Sequence, residues 1–141
     1  MFSFSWAIGS GDNCKGGMRH KVTLNQVIAM LEEIAQKSGA VTLDIINGSE
    51  IGPQNLQVQA EKGYFVIFLG EDDGEDYNVR TYTNYSADSK QVDILGQMWD
   101  LGLVCTDFDI VKKIFREFIE RGAEYRTKVM VSRIGRLGRI K

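Results

Sequence analysis

Two cysteines, one proline and one histidine in 141 residues set aside several kinds of chemistry at once. Cys14 and Cys105 are too few and too far apart for a secreted disulfide scaffold, and they read as reduced thiols. A single histidine, His20, cannot build a histidine-rich metal site, and no motif supports a Cys14–His20 nucleophile pair. His20 therefore reads as a surface or loop residue. The lone proline, Pro53, is expected in a connecting loop, where its missing N–H does no harm. No apolar run approaches the roughly 20 residues of a membrane span. The segment Met1–Trp6 has no basic region before it and is soon interrupted by Gly9 and Gly11, which argues against a secretory signal. A cytoplasmic location is the expectation. With Phe2, Phe4 and Trp6 on one face, the same segment predicts a first strand.

The length suits one domain, large enough to form its core without metal or disulfide staples. The net charge of −2 conceals a strong asymmetry. Residues 44–109 hold 13 acidic against 3 basic side chains, a balance of −10, whereas residues 112–141 hold 10 basic against 3 acidic, a balance of +7. Such segregation suggests an electrostatic partner, unless the fold interleaves the two segments.

Helix signals are distinct. Thr23 with Gln26 forms a capping box, and Val22 with Val27 a hydrophobic staple. Leu24, Val27, Ile28, Leu31, Ile34 and Ala35 follow at helical spacing until Ser38-Gly39 ends the run, with Gly39 suited to a left-handed position. A second helix starts at Thr106 or Asp107 and buries Ile110, Val111, Ile114, Phe115, Phe118 and Ile119 before Gly122. Strands are expected at Ala40–Ile46, Leu56–Lys62, Tyr64–Gly70, Tyr77–Asn84 and about Arg126–Ile134. The consecutive apolar residues Tyr64–Leu69 imply a strand covered on both faces. Residues 85–105 read as a loop, a short strand at most, and an apolar approach to the second helix. The expectation is a single α+β domain over residues 1–134, a mostly antiparallel sheet with two main helices packed on it, and a basic, flexible tail at 135–141.

Between the strands that begin at Tyr64 and Tyr77 lies Glu71-Asp72-Asp73-Gly74-Glu75-Asp76. An Asp-Gly pair between two β-prone runs predicts a tight hairpin, since the turn needs a positive φ. The result is a patch of carboxylates on a β-ribbon tip. It lacks the alternating ligands and distal glutamate of a calcium loop. It can face a basic protein surface as a mimic of phosphates, or it can simply be solvated. With the neighbouring Tyr77, Arg80 and Tyr82, the candidate partner-binding residues are Glu71, Asp72, Asp73, Glu75 and Asp76.

Other motifs fall short. Gly9-Ser-Gly-Asp-Asn-Cys-Lys-Gly-Gly17 lacks the lysine and hydroxyl pair of a phosphate loop and reads as a mobile loop. Cys105, in an apolar run, reads as a small buried hydrophobe. The basic C-terminal residues have only Tyr125 as an aromatic companion after Phe118, which makes nucleic acid an unfavoured partner. No catalytic motif and no cofactor site emerges.

The aromatic first strand with Trp6, the first helix, the meander with Gly63-Tyr64-Phe65-Val66-Ile67-Phe68, and the late helix Phe115-Arg-Glu-Phe118-Ile-Glu-Arg-Gly122 before a closing strand together resemble small bacterial immunity proteins. These are the cytosolic antidotes of contact-dependent inhibition and other polymorphic toxin systems. Such families often carry a proline and a tryptophan after that glycine, where this chain has Tyr125 and Val131. The resemblance implies a non-catalytic inhibitor that neutralises a cognate toxin, for instance a nuclease with a basic cleft. The alternatives are a homodimeric structural or regulatory module that pairs through a sheet edge, and a ligand-binding or enzymatic α+β domain.

Overall fold

The computed structural model describes residues 2–9, 14–46, 48, 50–84, 90–126 and 130–132. Its centre is a seven-stranded sheet in the order β2-β1-β3-β4-β5-β6-β9, with every neighbouring pair antiparallel. The strands are β1 (Phe2–Ile8), β2 (Lys15–His20), β3 (Gly39–Ile45), β4 (Gly52–Glu61), β5 (Tyr64–Asp72), β6 (Tyr77–Tyr82) and β9 (Met130–Ser132). Helices α1 (Leu24–Lys37) and α2 (Phe108–Arg121) pack on one face. A separate hairpin, β7 (Gln91–Ile94) and β8 (Gln97–Asp100), packs on the other. The chain is thus a mostly antiparallel α+β fold with two main helices. The segments expected as loop tips and tail at 10–13 and 133–141 lie outside the described residues.

Local chemistry explains most elements. Thr23 Oγ1 accepts from the Gln26 N–H at 3.2 Å, and Gln26 Oε1 accepts from the Thr23 N–H at 2.9 Å, closing the capping box of α1. Asp107 caps α2 by accepting from the Asp109 N–H at 2.9 Å. Val27, Leu31 and Ile34 of α1 and Val111, Ile114, Phe115 and Phe118 of α2 are buried against Val41, Leu43, Leu56, Val58, Phe65, Ile67 and Leu69 of the sheet. On the opposite face, Val66 joins Ile94, Trp99 and Val104 in a smaller core. Strand β5 is therefore covered on both sides, as its unbroken apolar run predicts.

Several expectations need correction. Residues 15–17, read as loop, begin strand β2, which pairs with β1 from Ser3↔His20 to Ile8↔Lys15. Gly16 and Gly17 have little β-propensity of their own. The Trp6 ring lies over Gly17, where any Cβ would collide with it, so β1 covers the position at which β2 has no side chain. Pro53 is not in a loop: it is the second residue of β4, beside a register shift between Pro53 and Asn55, where a missing N–H is tolerated. The region 90–100 folds as the β7–β8 hairpin. Its turn residues Leu95 (φ 53°) and Gly96 (φ 87°) are both left-handed, an uncommon role for leucine. Glu61 Oε1, on a different hairpin, accepts the Leu95 N–H at 2.8 Å and holds that turn in place. Helix α1 ends at Lys37, and Ser38 itself takes a positive φ of 71° ahead of Gly39. Strand β6 stops at Tyr82 rather than Asn84, and the described part of the last strand is Met130–Ser132.

Two substitutions test this packing. Phe118, fully buried between Phe2 and Tyr125 (ring centroids 5.7 and 5.6 Å), is expected to lose about 3–5 kcal/mol as Phe118→Ala in a urea titration. Gly17→Val is expected to lower stability by about 1–3 kcal/mol by expelling Trp6, despite valine's better strand propensity. An unchanged midpoint in the second variant would show that Trp6 does not cover β2.

Candidate functional site: an acidic hairpin tip with a seated tyrosine

Because β5 and β6 pair in register as far as Asp72↔Tyr77, the acidic segment spans two environments. Glu71 and Asp72 belong to the strand, and only Asp73-Gly74-Glu75-Asp76 form the loop. The turn is a four-residue loop rather than a two-residue one. Gly74 supplies the left-handed residue at φ 97°.

Alternation along the strands separates the candidate residues. Glu71 lies on the helix side, where its Oε1 is 3.0 Å from Arg80 Nε, a charge contact without an aligned N–H bond. Tyr82 shares that side and is only 8% exposed. It is a core residue beside Cys105, so it offers no accessible surface to a partner. Burial pushes both the Tyr82 hydroxyl and the Cys105 thiol above their usual ranges, which leaves Cys105 an unreactive buried thiol. Cys14 is exposed, and both cysteines are free.

Two carboxylates build the turn, Asp72 from the end of β5 and Asp73 from within the loop. Asp72 Oδ1 accepts from the Gly74 N–H at 2.8 Å. Asp73 Oδ1 accepts from the N–H groups of Asp76 (2.7 Å) and Glu75 (2.9 Å), and its Oδ2 accepts from Asn78 Nδ2 at 3.1 Å. These donors, the Asp76 N–H first, hold the Asp73 carboxyl below its ordinary value of 3.8. Glu75 and Asp76 are exposed, and their side chains have no partner among the described residues.

Tyr77 follows at 48% exposure. Its hydroxyl receives a 2.7 Å hydrogen bond from Asn55 Nδ2 of β4 and lies directly over Gly70, where a methyl group would collide with it. The ring is thus fixed in one orientation while nearly half of it faces water. On the loop's other flank, Ile51 is 59% exposed, and its Cδ1 lies 3.6 Å from the position a side chain at Gly74 would occupy. Ile51 therefore shares a shallow groove on the helix side with Glu71, Asp72, Asp73, Arg80 and Arg126, and the seated Tyr77 stands on the opposite face of the ribbon, at the base of the acidic loop. Sequence reading misses Ile51, Asn55 and Gly70. The one available signal is the glycine that closes an otherwise unbroken apolar strand, since a glycine there suggests close approach of another group.

Two further grooves lie elsewhere among the described residues. A groove of about 450 Å³ near Cys14 contains Glu61 and Asp93, but these accept the Leu95 and Gly96 N–H groups of the β7–β8 turn. A groove of about 260 Å³ on the open sheet face is walled by Phe68 and Trp99 and lined by Asn55, Gln57, Gln59 and Gln97, with no ionisable side chain. Among the described residues no group of three or more His, Cys, Asp or Glu side chains is placed to hold a metal ion. No helix among them is long and apolar enough to cross a membrane.

Over residues 5–128 the chain matches, and belongs to, a family described as a family of unknown function (DUF6911). It is similar to a crystal structure titled as a hypothetical protein from Neisseria gonorrhoeae, with a TM-score of 0.72 at 17% identity, covering 91% of this chain and 93% of that one. At that identity the likeness is one of fold. No curated protein matches the chain.

The loop should respond to acid in a defined direction. A lowered Asp73 pKa means that its contribution to loop order is present above the ordinary carboxylate range and is lost as pH falls through the lowered value. Exchange of the Glu75 and Asp76 amides should therefore show extra acceleration only once pH falls below the ordinary carboxylate value of 3.8, and Asp73→Ala should show it already at neutral pH. Equal protection in that variant would remove Asp73 from this role.

Proposed function

We propose that this member of the DUF6911 family is a non-catalytic, immunity-type inhibitor that binds a cognate protein toxin through the β5–β6 tip. The observation that carries the reading is the seated Tyr77, held over Gly70 by Asn55 at the base of the acidic loop, with exposed Ile51 on the loop's other flank. Interfaces draw most of their affinity from a few aromatic or apolar anchors, and a side chain already fixed in one conformer loses less entropy on binding. The surrounding negative charge supplies steering towards a basic surface, such as the cleft of a nuclease. The roles divide by geometry. Glu75 and Asp76 steer, Tyr77 is the anchor on one flank with Ile51 on the other, and Asp72 and Asp73 shape the loop. Glu71 and Arg80 fix the strand pair beneath it, and Tyr82 acts only from within the core. The chain's resemblance to immunity proteins points the same way.

The test uses a toxin encoded beside this chain's gene, co-expressed and then purified. Glu75→Gln with Asp76→Asn should lower the association rate by about tenfold at low salt and much less at high salt. Tyr77→Ala should instead raise the dissociation rate by about tenfold or more. Unchanged rates and unchanged salt dependence in both variants would exclude the tip as the binding surface.

A further inference from the structure

Strand β2 is an outer edge of the seven-stranded sheet, and all six of its residues are exposed. The Lys21 N–H donates to the Phe2 carbonyl at 3.2 Å, which sets the phase of the β1–β2 ladder. By that phase Lys15, Gly17 and Arg19 bond inward to β1, and Gly16, Met18 and His20 turn their N–H and C=O groups outward. Among the described residues nothing pairs with those outward groups. The side chains of Lys15 and Arg19 flank Gly17 on one face of the strand, and Lys21 follows at its end, where a φ of 62° breaks the alternation. None of the three cations has a carboxylate within ion-pairing distance among the described residues, and residues 14–31 contain no acidic side chain. Between Lys15 and Arg19, the Trp6 ring lies over Gly17 and forms an apolar shelf.

We infer that the β2 edge receives an extended, acidic segment of a partner protein as an added antiparallel strand. This surface is distinct from the carboxylate tip, since β2 stands four strands from β5, roughly 19 Å across the sheet. An added strand bonds the outward groups of Gly16, Met18 and His20. The residues opposite Lys15, Gly17 and Arg19 then form non-hydrogen-bonded pairs, in which side chains approach most closely. Carboxylates belong opposite Lys15 and Arg19, and an apolar side chain belongs opposite Gly17, against Trp6. The chemistry selects an acid-x-apolar-x-acid strand.

Charge also rejects the other occupants. A second copy paired antiparallel about Gly17 would set Lys15 against Arg19, which is repulsive. The chain's own residues 133–141 carry Arg133, Arg136, Arg139 and Lys141 and no acidic side chain. Lysines on an edge strand discourage indiscriminate pairing. The same charges favour a strand of opposite sign, so the edge is selective rather than closed.

The experiment follows amide exchange in the full chain with two synthetic peptides, one containing Glu-Thr-Leu-Thr-Glu and one with lysine in place of glutamate. With the acidic peptide, the Gly16, Met18 and His20 amides should slow by about tenfold, and Glu75 and Asp76 should not change. The lysine peptide should leave all of them unchanged. Met18→Pro removes an outward N–H without breaking the β1 ladder and should abolish the protection. If that variant does not fold, Lys15→Glu with Arg19→Glu decides, because it should transfer the preference to the lysine peptide. No slowing with the acidic peptide, equal slowing with both, protection that survives these substitutions, or slowing that rises with protein concentration alone would overturn the inference.

Discussion

The structure depends on the burial of strand β5 from both sides. Phe65, Ile67 and Leu69 face the helices, and Val66 faces Ile94, Trp99 and Val104 under the β7–β8 hairpin. A strand in this position cannot slip by one residue, because a slip would exchange the two apolar sets and drive Glu71 and Asp72 towards interior positions. The register of β4 and β6 is fixed through it, and so is the point at which the ribbon leaves the core. The hairpin tip projects from the best-anchored element of the domain, and that anchorage is why its loop can be charged and exposed yet ordered.

The fold also keeps two charged surfaces apart. The carboxylates of the β5–β6 loop and Lys15 and Arg19 of the β2 edge are separated by the width of the sheet instead of neutralising one another. Within the tip the charges are not equivalent. Asp72 and Asp73 accept backbone N–H groups and act as turn-formers, and Glu71 is tied to Arg80. Only Glu75 and Asp76 present carboxylates without partners among the described residues. Under the proposed function this division matters, because replacing all five carboxylates together would confound loss of steering with loss of the loop.

Much of the fold was legible because the deciding interactions are local. Thr23 and Gln26 are three residues apart, Asp107 caps its own helix, and Lys62-Gly63 turns β4 into β5 with both residues at positive φ. What was not legible depends on residues distant in sequence. Strand β2 exists because Trp6 covers Gly17, and the turn at Leu95 is held by Glu61, 34 positions away. The candidate site divides in the same way. The acidic turn and the alternation of Val79 and Thr81 against Arg80 and Tyr82 can be read from the sequence. Which of those faces is buried depends on where the helices pack, and that removed Tyr82 from the accessible surface. The seating of Tyr77 needs Asn55 and Gly70 from two other strands, a coincidence no local pattern encodes.

Whether the β5–β6 tip is the binding surface is tested by a hydrogen-exchange footprint of the full chain, alone and in complex with the toxin encoded beside its gene. New protection is expected to centre on Asp72–Tyr77 and to extend to the residues around Ile51. A complex that protects other surfaces and leaves Asp72–Tyr77 exchanging as in the free protein would contradict that role for the tip.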